Sequence, residues 1–145
     1  MGKPAKSPWL APHITVKDIR ESMAFYENAF KFTTGIMMDD DDGRLCHVEM
    51  SYQGQPVIMM GREGADMMAS ACPASMNVES PFNIYVYCED LDNSLMIALN
   101  SGAKLLREPE ETIWGDRAAL VKCINGYIFV LASNMLDDIF DEPLF

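Results

Sequence analysis

Two histidines and one glutamate are the side chains of this sequence best suited to acid–base chemistry. His13 and His47 are its only histidines, and Glu49 lies two residues after His47. Because alternate residues of a strand share a face, His47 and Glu49 are predicted to point the same way. A histidine beside a carboxylate can act as a general base near neutral pH, and with a third ligand it can bind a metal ion. We favour a structural role for both histidines and predict no catalytic residue.

The patterns of other common chemistries are missing from the sequence. It contains no Gly-x-Ser-x-Gly nucleophile turn and no glycine-rich phosphate-binding loop. Its four cysteines are scattered without a Cys-x-x-Cys pair, which favours buried free thiols over a zinc site or a disulfide framework. The acidic run at 39–42 before Gly43 is predicted to be a hairpin loop, since calcium loops space their oxygen ligands apart.

Composition and charge limit the class of protein. With 145 residues, of which 49% are hydrophobic, the chain can bury a core without a metal or a disulfide. It has 11 Lys and Arg against 22 Asp and Glu, and its net charge of -11 disfavours nucleic acids and anionic membranes as partners. No apolar run reaches the length of a membrane span, about 18 residues, and residues 1–10 lack a secretory signal pattern. We therefore expect a cytoplasmic protein.

The chain contains an internal repeat. After a shift of 72 residues, from position 18 to position 90, five residues fall on identical ones and the apolar pattern follows without a gap. The pairs are Asp18 and Asp90, Ser22 and Ser94, Asn28 and Asn100, Gly43 and Gly115, and Gly54 and Gly126. An internal duplication is the simplest explanation, and it predicts two copies of one structural unit.

Each copy is predicted to form a strand, a helix and three further strands. The first strands are expected at 13–16 and 83–88, where polar and apolar residues alternate. Apolar residues at helical spacing follow in both copies, and Asp18 with Glu21 three residues later predicts the start of the first helix. Asn125-Gly126 is the strongest hairpin signal. The later strands are expected at 32–38, 44–52, 56–60, 103–107, 118–124 and 127–132.

These elements divide the chain into two βαβββ modules, at residues 10–60 and 82–133. Residues 1–9 form an N-terminal arm, and residues 61–81, rich in Ala, Ser and Met with two prolines, form a linker or flap. Residues 134–145 form an acidic amphipathic tail whose apolar side must be buried, with a partner subunit as one candidate. The apolar residues of the tail are Met135, Leu136, Ile139 and Phe140.

Four sequence segments together resemble a known family. Residues 12–18 with Ala24-Phe25-Tyr26, then Trp114-Gly115-Asp116-Arg117 and Asn125-Gly126-Tyr127, are similar to the vicinal oxygen chelate superfamily of glyoxalases, bleomycin-resistance proteins and ring-cleaving dioxygenases. The resemblance is greatest to its PhnB-like members and covers about Leu10 to Ser133. It implies an α+β fold of two tandem βαβββ modules whose curved mixed sheets surround a cleft, with the helices on the convex side. It also implies a homodimer.

The same resemblance implies where metal ligands would stand. Metal-using members place a His or Gln before the end of each module's first strand and a Glu after each last hairpin. Those positions hold Ala11, Ile58, Asn83 and Val130 in this sequence. None is a usual ligand of a divalent metal, which prefers imidazole, thiolate or carboxylate groups. We therefore predict that the metal site is absent and that the protein uses no cofactor.

Apolar and aromatic side chains are predicted to face the cleft in place of metal ligands. Strand alternation puts His13 and Thr15 on the face of Ala11, and Tyr85 and Tyr87 on the face of Asn83. Such a surface is typical of a small-molecule site, although simple core packing is the alternative. The predicted ligand-binding residues are His13, Thr15, Ile58, Met60, Asn83, Tyr85, Tyr87, Trp114 and Val130.

We predict a metal-free protein that binds a small hydrophobic or cationic molecule in the cleft, as the bleomycin-resistance proteins sequester drugs. The acidic net charge is consistent with a cationic ligand. One alternative is a metal-dependent lyase, isomerase or dioxygenase with His13, His47 and Glu49 as unusual ligands. Another is a structural or regulatory dimer with a vestigial cleft.

Overall fold

A strand–helix–three-strand unit occurs twice, as predicted. The computed structural model describes residues 2–65 and 71–136. The first unit consists of β1 (His13–Val16), α1 (Ile19–Phe30), β2 (Thr33–Asp39), β3 (Leu45–Tyr52) and β4 (Gln55–Arg62). After the short α2 (Pro73–Met76), the second unit consists of β5 (Asn83–Tyr87), α3 (Leu91–Asn100), β6 (Lys104–Glu111), β7 (Asp116–Lys122) and β8 (Ile128–Asn134). The α+β prediction is confirmed.

Each unit forms a mixed four-stranded sheet. The strand orders are β1-β4-β3-β2 and β5-β8-β7-β6, so the first strand of each unit pairs with the last. These first strands run parallel to their partners, whereas the other neighbours are antiparallel. Within the described ranges, no helix is long and apolar enough to cross a membrane.

The residues just before α1 and α3 carry the sequence signals that start these two helices. The Asp18 carboxylate accepts a hydrogen bond from the Glu21 backbone N–H at 2.9 Å, and Asp90 accepts one from Asn93 at 3.1 Å. Each bond satisfies one of the N–H groups that a helix leaves unpaired in its first turn. The predicted helix start at Asp18 is confirmed, and the acidic run at 39–42 lies, as predicted, in the turn between β2 and β3.

One hydrophobic core joins the two units. It includes residues of α1 and α3 and of the strand faces beneath them, and the two helices contact each other directly. Phe129 of β8 is fully buried and stacks on Phe30 of α1 with ring centroids 4.2 Å apart. Tyr26 and Phe32 lie around the same ring, at 5.8 and 6.4 Å. Neither unit therefore has a core of its own.

Side chains of each unit also cover the free edge of the other unit's first strand. Tyr127 Oη donates to the Thr15 carbonyl at 2.8 Å and accepts from the Thr15 N–H at 3.1 Å. Asn125 Oδ1 accepts from the Lys17 N–H at 3.2 Å. In the opposite direction, Tyr52 Oη donates to the Tyr87 carbonyl at 2.8 Å. These bonds satisfy backbone groups that an edge strand would otherwise expose.

The last two strands of each unit repeat at a shift of 71 residues instead of the predicted 72. His13 lies beside Met59 and Tyr85 lies beside Val130, so Met59 and Val130 occupy equivalent places. The core residues Ile58 and Met60 correspond in the same way to Phe129 and Leu131. The prediction of a repeat without a gap is therefore wrong for these strands.

Candidate functional site

The residues predicted to share one cleft form two separate groups on the sheet faces opposite the helices. The histidine group, defined as His13, His47, Glu49 and Met59, lies on the first sheet, where its members are neighbours in adjacent strands. The aromatic cluster, defined as Tyr85, Tyr87 and Trp114, belongs to the second unit. We call these two sheet faces the outer faces.

The structure brings the three predicted acid–base residues together. The rings of His13 and His47 stack with centroids 5.6 Å apart and an angle of 27° between their planes. His47 Nε2 lies 3.4 Å from Glu49 Oε1. Burial lowers the pKa of His13, and the coulombic effect of His47 lowers it further. The neutral imidazole is thus favoured at His13, as a general base requires.

A cavity of about 680 Å³ opens beside the histidines. Its lining residues come from the first unit and from the segment that follows β4, and they include Met59, Gly61 and the ion pair between Arg62 and Asp40. Hydrogen bonding from the Arg44 backbone N–H is the main cause that lowers the pKa of Asp40. The cavity therefore carries charges of both signs close to a methionine and two imidazoles.

Asp116 lies at the centre of the aromatic cluster, although it is not among the site residues predicted from the sequence. Its side chain is 0% exposed. Oδ2 accepts hydrogen bonds from Tyr85 Oη at 2.6 Å, Tyr87 Oη at 2.8 Å and Trp114 Nε1 at 3.0 Å. Oδ1 accepts one from Asn134 Nδ2 at 2.9 Å. Four donors thus surround one buried carboxylate.

The aromatic cluster keeps much of its surface exposed although its polar atoms are tied to Asp116. Tyr85, Tyr87 and Trp114 are 39%, 54% and 60% exposed. The two tyrosine rings are 5.2 Å apart at an angle of 54°. Beneath them a small apolar cluster is formed by Ala118, Val130, Ala132 and Leu120. The cluster is therefore a set of exposed aromatic rings whose polar ends converge on a buried negative charge.

The hydrogen bonds to Asp116 shift the pKa values of the cluster. Burial acts to raise the pKa of Asp116, but the bonds from Tyr85, Asn134, Tyr87 and Trp114 together outweigh it and lower that pKa. Hydrogen bonding to Asp116 is the largest cause that raises the pKa of Tyr87 to about 12, and burial adds to it. Burial, followed by the bond to Asp116, raises the pKa of Tyr85. Both phenols are thus held as donors near neutral pH.

Asp116→Asn is expected to lower the pKa of Tyr87 from about 12 toward the ordinary phenol value of about 10. Because the folded-state pKa is raised, the Tyr87–Asp116 bond stabilises the fold fully below pH about 10 and this contribution disappears as the pH rises through about 12. Ultraviolet titration of the phenolates, with Tyr87→Phe to assign the signal, measures the shift. An unchanged titration in Asp116→Asn would contradict it, and Asp41→Asn in the exposed turn between β2 and β3 is the control.

The structure places the other predicted residues as follows. Val130 lies below the aromatic cluster, beside Tyr85, as predicted. Asn83 is exposed at the start of β5, and Thr15 is buried with its backbone bound to Tyr127. Ile58 and Met60 lie in the shared core. Their predicted position on the cleft face is wrong, because Met59 is the residue that lies beside His13 and its neighbours point to the opposite face.

The residues present do not fit the metal site that the resemblance implies. With Met59 in the place assigned to Ile58, the four positions hold Ala11, Met59, Asn83 and Val130. These side chains offer no imidazole, thiolate or carboxylate. Among residues 2–65 and 71–136, no three His, Cys, Asp or Glu side chains are arranged to hold a metal ion.

One family model matches most of the chain, and two uncharacterized proteins are similar to it in sequence. The family model described as the Glyoxalase/Bleomycin resistance protein/Dioxygenase superfamily matches residues 8–131. The uncharacterized protein Rv0887c of Mycobacterium tuberculosis is 29% identical over 137 residues, which cover 93% of this chain and 79% of that protein. The uncharacterized protein Mb0911c of Mycobacterium bovis is also 29% identical over 137 residues, covering 93% of this chain and 89% of that protein.

Solved structures share the fold at low sequence identity. TioX from Micromonospora sp. ML1 is 17% identical, with a TM-score of 0.66 and coverage of 86% of this chain and 97% of that one. The fosfomycin resistance protein FosX from Listeria monocytogenes, in complex with Mn(II) and sulfate, is 13% identical, with a TM-score of 0.67 and coverage of 91% and 94%. Identities this low show a common fold alone.

Proposed function

This chain belongs to the glyoxalase, bleomycin resistance protein and dioxygenase superfamily, and from that premise we propose that it binds a small hydrophobic or cationic organic molecule without a metal ion. The observation that most directly supports this proposal is the aromatic cluster, whose exposed rings are held in place by hydrogen bonds to buried Asp116. The PhnB-like subgroup remains a prediction within the superfamily.

The fixed geometry of the cluster supports a binding role. Exposed aromatic side chains offer a large contact area, and rotamers fixed in advance reduce the entropy lost on binding. Tyr85 and Tyr87 are fixed at their hydroxyl ends by Asp116, while their ring surfaces remain in contact with solvent. A cluster that served only core packing would bury these rings. Binding is therefore the interpretation that we favour over packing.

The side chains at the implied metal-ligand positions support a metal-free site. Ala11, Met59, Asn83 and Val130 stand where the resemblance implies ligands. The alternative, a metal-dependent lyase, isomerase or dioxygenase, would have to use His13, His47 and Glu49. His13 and His47 stack beside the cavity and Glu49 lies next to His47, but within residues 2–65 and 71–136 these three side chains are not arranged to hold a metal ion, which favours the metal-free proposal.

We propose that two copies of the chain pair to complete the cleft. In one chain the histidine group and the aromatic cluster lie on different sheets, and each sheet has an edge strand with exposed apolar side chains. These side chains are Ile36, Met37 and Met38 on β2 and Leu105 and Leu106 on β6. Closed two-fold dimers are the commonest soluble oligomers. Of the predicted tail, Ile139 and Phe140 lie outside the described residues.

A reducing compartment such as the cytoplasm is the proposed location. All four cysteines are free: Cys46, Cys72, Cys88 and Cys123. Free thiols persist where glutathione and thioredoxin keep the environment reducing. The net charge of -11 makes nucleic acids and anionic membranes poor partners.

Native mass spectrometry and a fluorescence screen test the proposal together. We expect a dimer that carries less than one equivalent of metal after dialysis, and quenching of Trp114 by a planar compound in the Trp9→Phe background. Tyr85→Ala should weaken that binding several-fold, since truncating an aromatic contact usually costs about 1 kcal/mol or more. Met96→Ala, exposed on α3, is the control, and the melting temperature of each variant shows whether it folds.

Four results would contradict the proposal. A broad screen without a ligand, or unfolding of Tyr85→Ala, would assign the aromatic cluster to structure alone. One equivalent of metal that is retained on dialysis and lost in His13→Ala or His47→Ala would support the metal-dependent enzyme. A species of 16.2 kDa at micromolar concentration would exclude the dimer.

A further inference from the structure

The negative charge at the hydroxyl and N–H ends of the aromatic cluster cannot be contacted by a ligand. Asp116 is fully buried, and both of its carboxylate oxygens already accept hydrogen bonds from the protein. A bound cation therefore cannot form an ion pair by direct contact with this carboxylate. It can still be attracted by the charge, because screening by water is weak across a short, dry path.

The ring surfaces are the part of this site that a cation can touch. Cations bind over aromatic faces within about 6 Å of the ring centre. The rings of Tyr85 and Tyr87 are 5.2 Å apart, which leaves no space for an ammonium group between them. The exposed faces of Tyr87 and Trp114 remain available.

The hydrogen bonds within the aromatic cluster determine which kind of cation it can bind. The phenol hydroxyls and the indole N–H are directed at Asp116, and Tyr85 Oη also accepts from Trp114 Nε1 at 3.1 Å. An ammonium group with N–H donors would lose bound water here without gaining the carboxylate as an acceptor, which is costly. A quaternary ammonium group has no N–H to satisfy, and its methyl groups pack well on aromatic rings.

We propose that the aromatic cluster selects a quaternary ammonium or an N-alkylated aromatic cation, which lies on the exposed ring surfaces of Tyr87 and Trp114, near the buried Asp116 carboxylate to which their polar ends are bonded. The inference rests on the proposed function and narrows its ligand class. Primary amines are excluded as ligands, and neutral molecules of the same shape are expected to bind more weakly than the quaternary cation.

Three probes of one shape family test the inference: benzyltrimethylammonium, its neutral isostere neopentylbenzene, and benzylammonium. Trp114 fluorescence in the Trp9→Phe background reports binding at low ionic strength. We expect benzyltrimethylammonium to bind about five-fold or more tightly than either of the other two, given the usual strength of a cation–π contact near a charge. Added salt should weaken only the charged probes.

Two variants separate the contribution of the charge from that of the rings. Asp116→Asn should bring benzyltrimethylammonium to within about two-fold of neopentylbenzene, because the buried charge is removed while the aromatic rings remain. Asp41→Asn removes one negative charge from the exposed turn between β2 and β3 and should leave the preference unchanged. Tyr87→Leu should weaken benzyltrimethylammonium more than neopentylbenzene, and it decides the question if Asp116→Asn does not fold.

The outcomes distinguish this inference from the proposed function. Equal affinity for the three probes, or a preference for benzylammonium, would overturn the quaternary cation and leave a binding site in place. Failure of all three probes while another planar compound quenches Trp114 would do the same. Failure of every compound would overturn both proposals.

Discussion

Phe129→Ala is expected to lower the free energy of unfolding by about 3–5 kcal/mol. Phe129 is 0% exposed and lies between the rings of Phe30, Tyr26 and Phe32, so its removal leaves a cavity in the core that joins the two units. Urea denaturation followed by circular dichroism measures the change, and a constant slope with urea shows that unfolding stays cooperative.

Phe82→Ala is the matched control for this substitution. Phe82 is exposed and contacts Tyr127 edge-on with ring centroids 5.9 Å apart. We expect its loss to cost about 1 kcal/mol or less. An equally small cost for Phe129→Ala would show that the shared core does not hold the units together.

The second large effect is expected from Gly126→Ala, at about 2–3 kcal/mol. Gly126 has φ +88°, a conformation that L-residues rarely adopt, and an added Cβ would lie 2.6 Å from the Ala74 backbone nitrogen. That nitrogen donates to the Asn125 carbonyl at 2.9 Å, so the methyl group would push α2 away from the hairpin. Thermal or urea unfolding measures the loss.

Gly54→Ala separates the two causes of this loss. Gly54 has φ +78°, but nothing lies within 4 Å of an added Cβ. Gly54→Ala should therefore lower the free energy of unfolding only by the cost of backbone strain, about 1 kcal/mol. If both variants lose the same stability, the contact between Gly126 and α2 contributes nothing.

The parts of the fold that local chemistry determines could be predicted from the sequence. β1 begins and ends at the predicted residues, and both helices begin after aspartates that accept a hydrogen bond from the first turn. The strand pattern and the Asn125-Gly126 turn were recognisable for the same reason, because their signals lie within a few neighbouring residues.

The register of the last strands could not be predicted, because it depends on the geometry of the turns. In the first unit Tyr52 pairs with Gln55 around Gln53-Gly54, and a register shift between Met50 and Ser51 makes Met50 pair with Ile58, so Gly54 lies midway between these last two partners. In the second unit Val121 pairs with Phe129, so Gly126 lies one residue beyond the centre. Aligning the two glycines therefore moved one strand by one residue, which reverses the face of every side chain.

The separation of the candidate site into the histidine group and the aromatic cluster also could not be predicted from the sequence. The position of Asp116, two residues before Ala118 on the face of Val130, was a signal that strand alternation offered. Three of its four partners, however, lie far along the chain: Tyr85 is 31 residues away, Tyr87 29 and Asn134 18. Contacts of this range depend on how the strands pair and carry no local pattern.

The hydrogen bonds between Tyr127 and the edge of β1 have a consequence for how the chain is made. Thr15 and Tyr127 are 112 residues apart, so most of the second unit must be synthesised before this partner exists. Until then the backbone edge of β1 and the Phe30 surface that packs on Phe129 stay uncovered. The first unit therefore cannot complete its fold before the second has been synthesised, and the two units reach their final packing together.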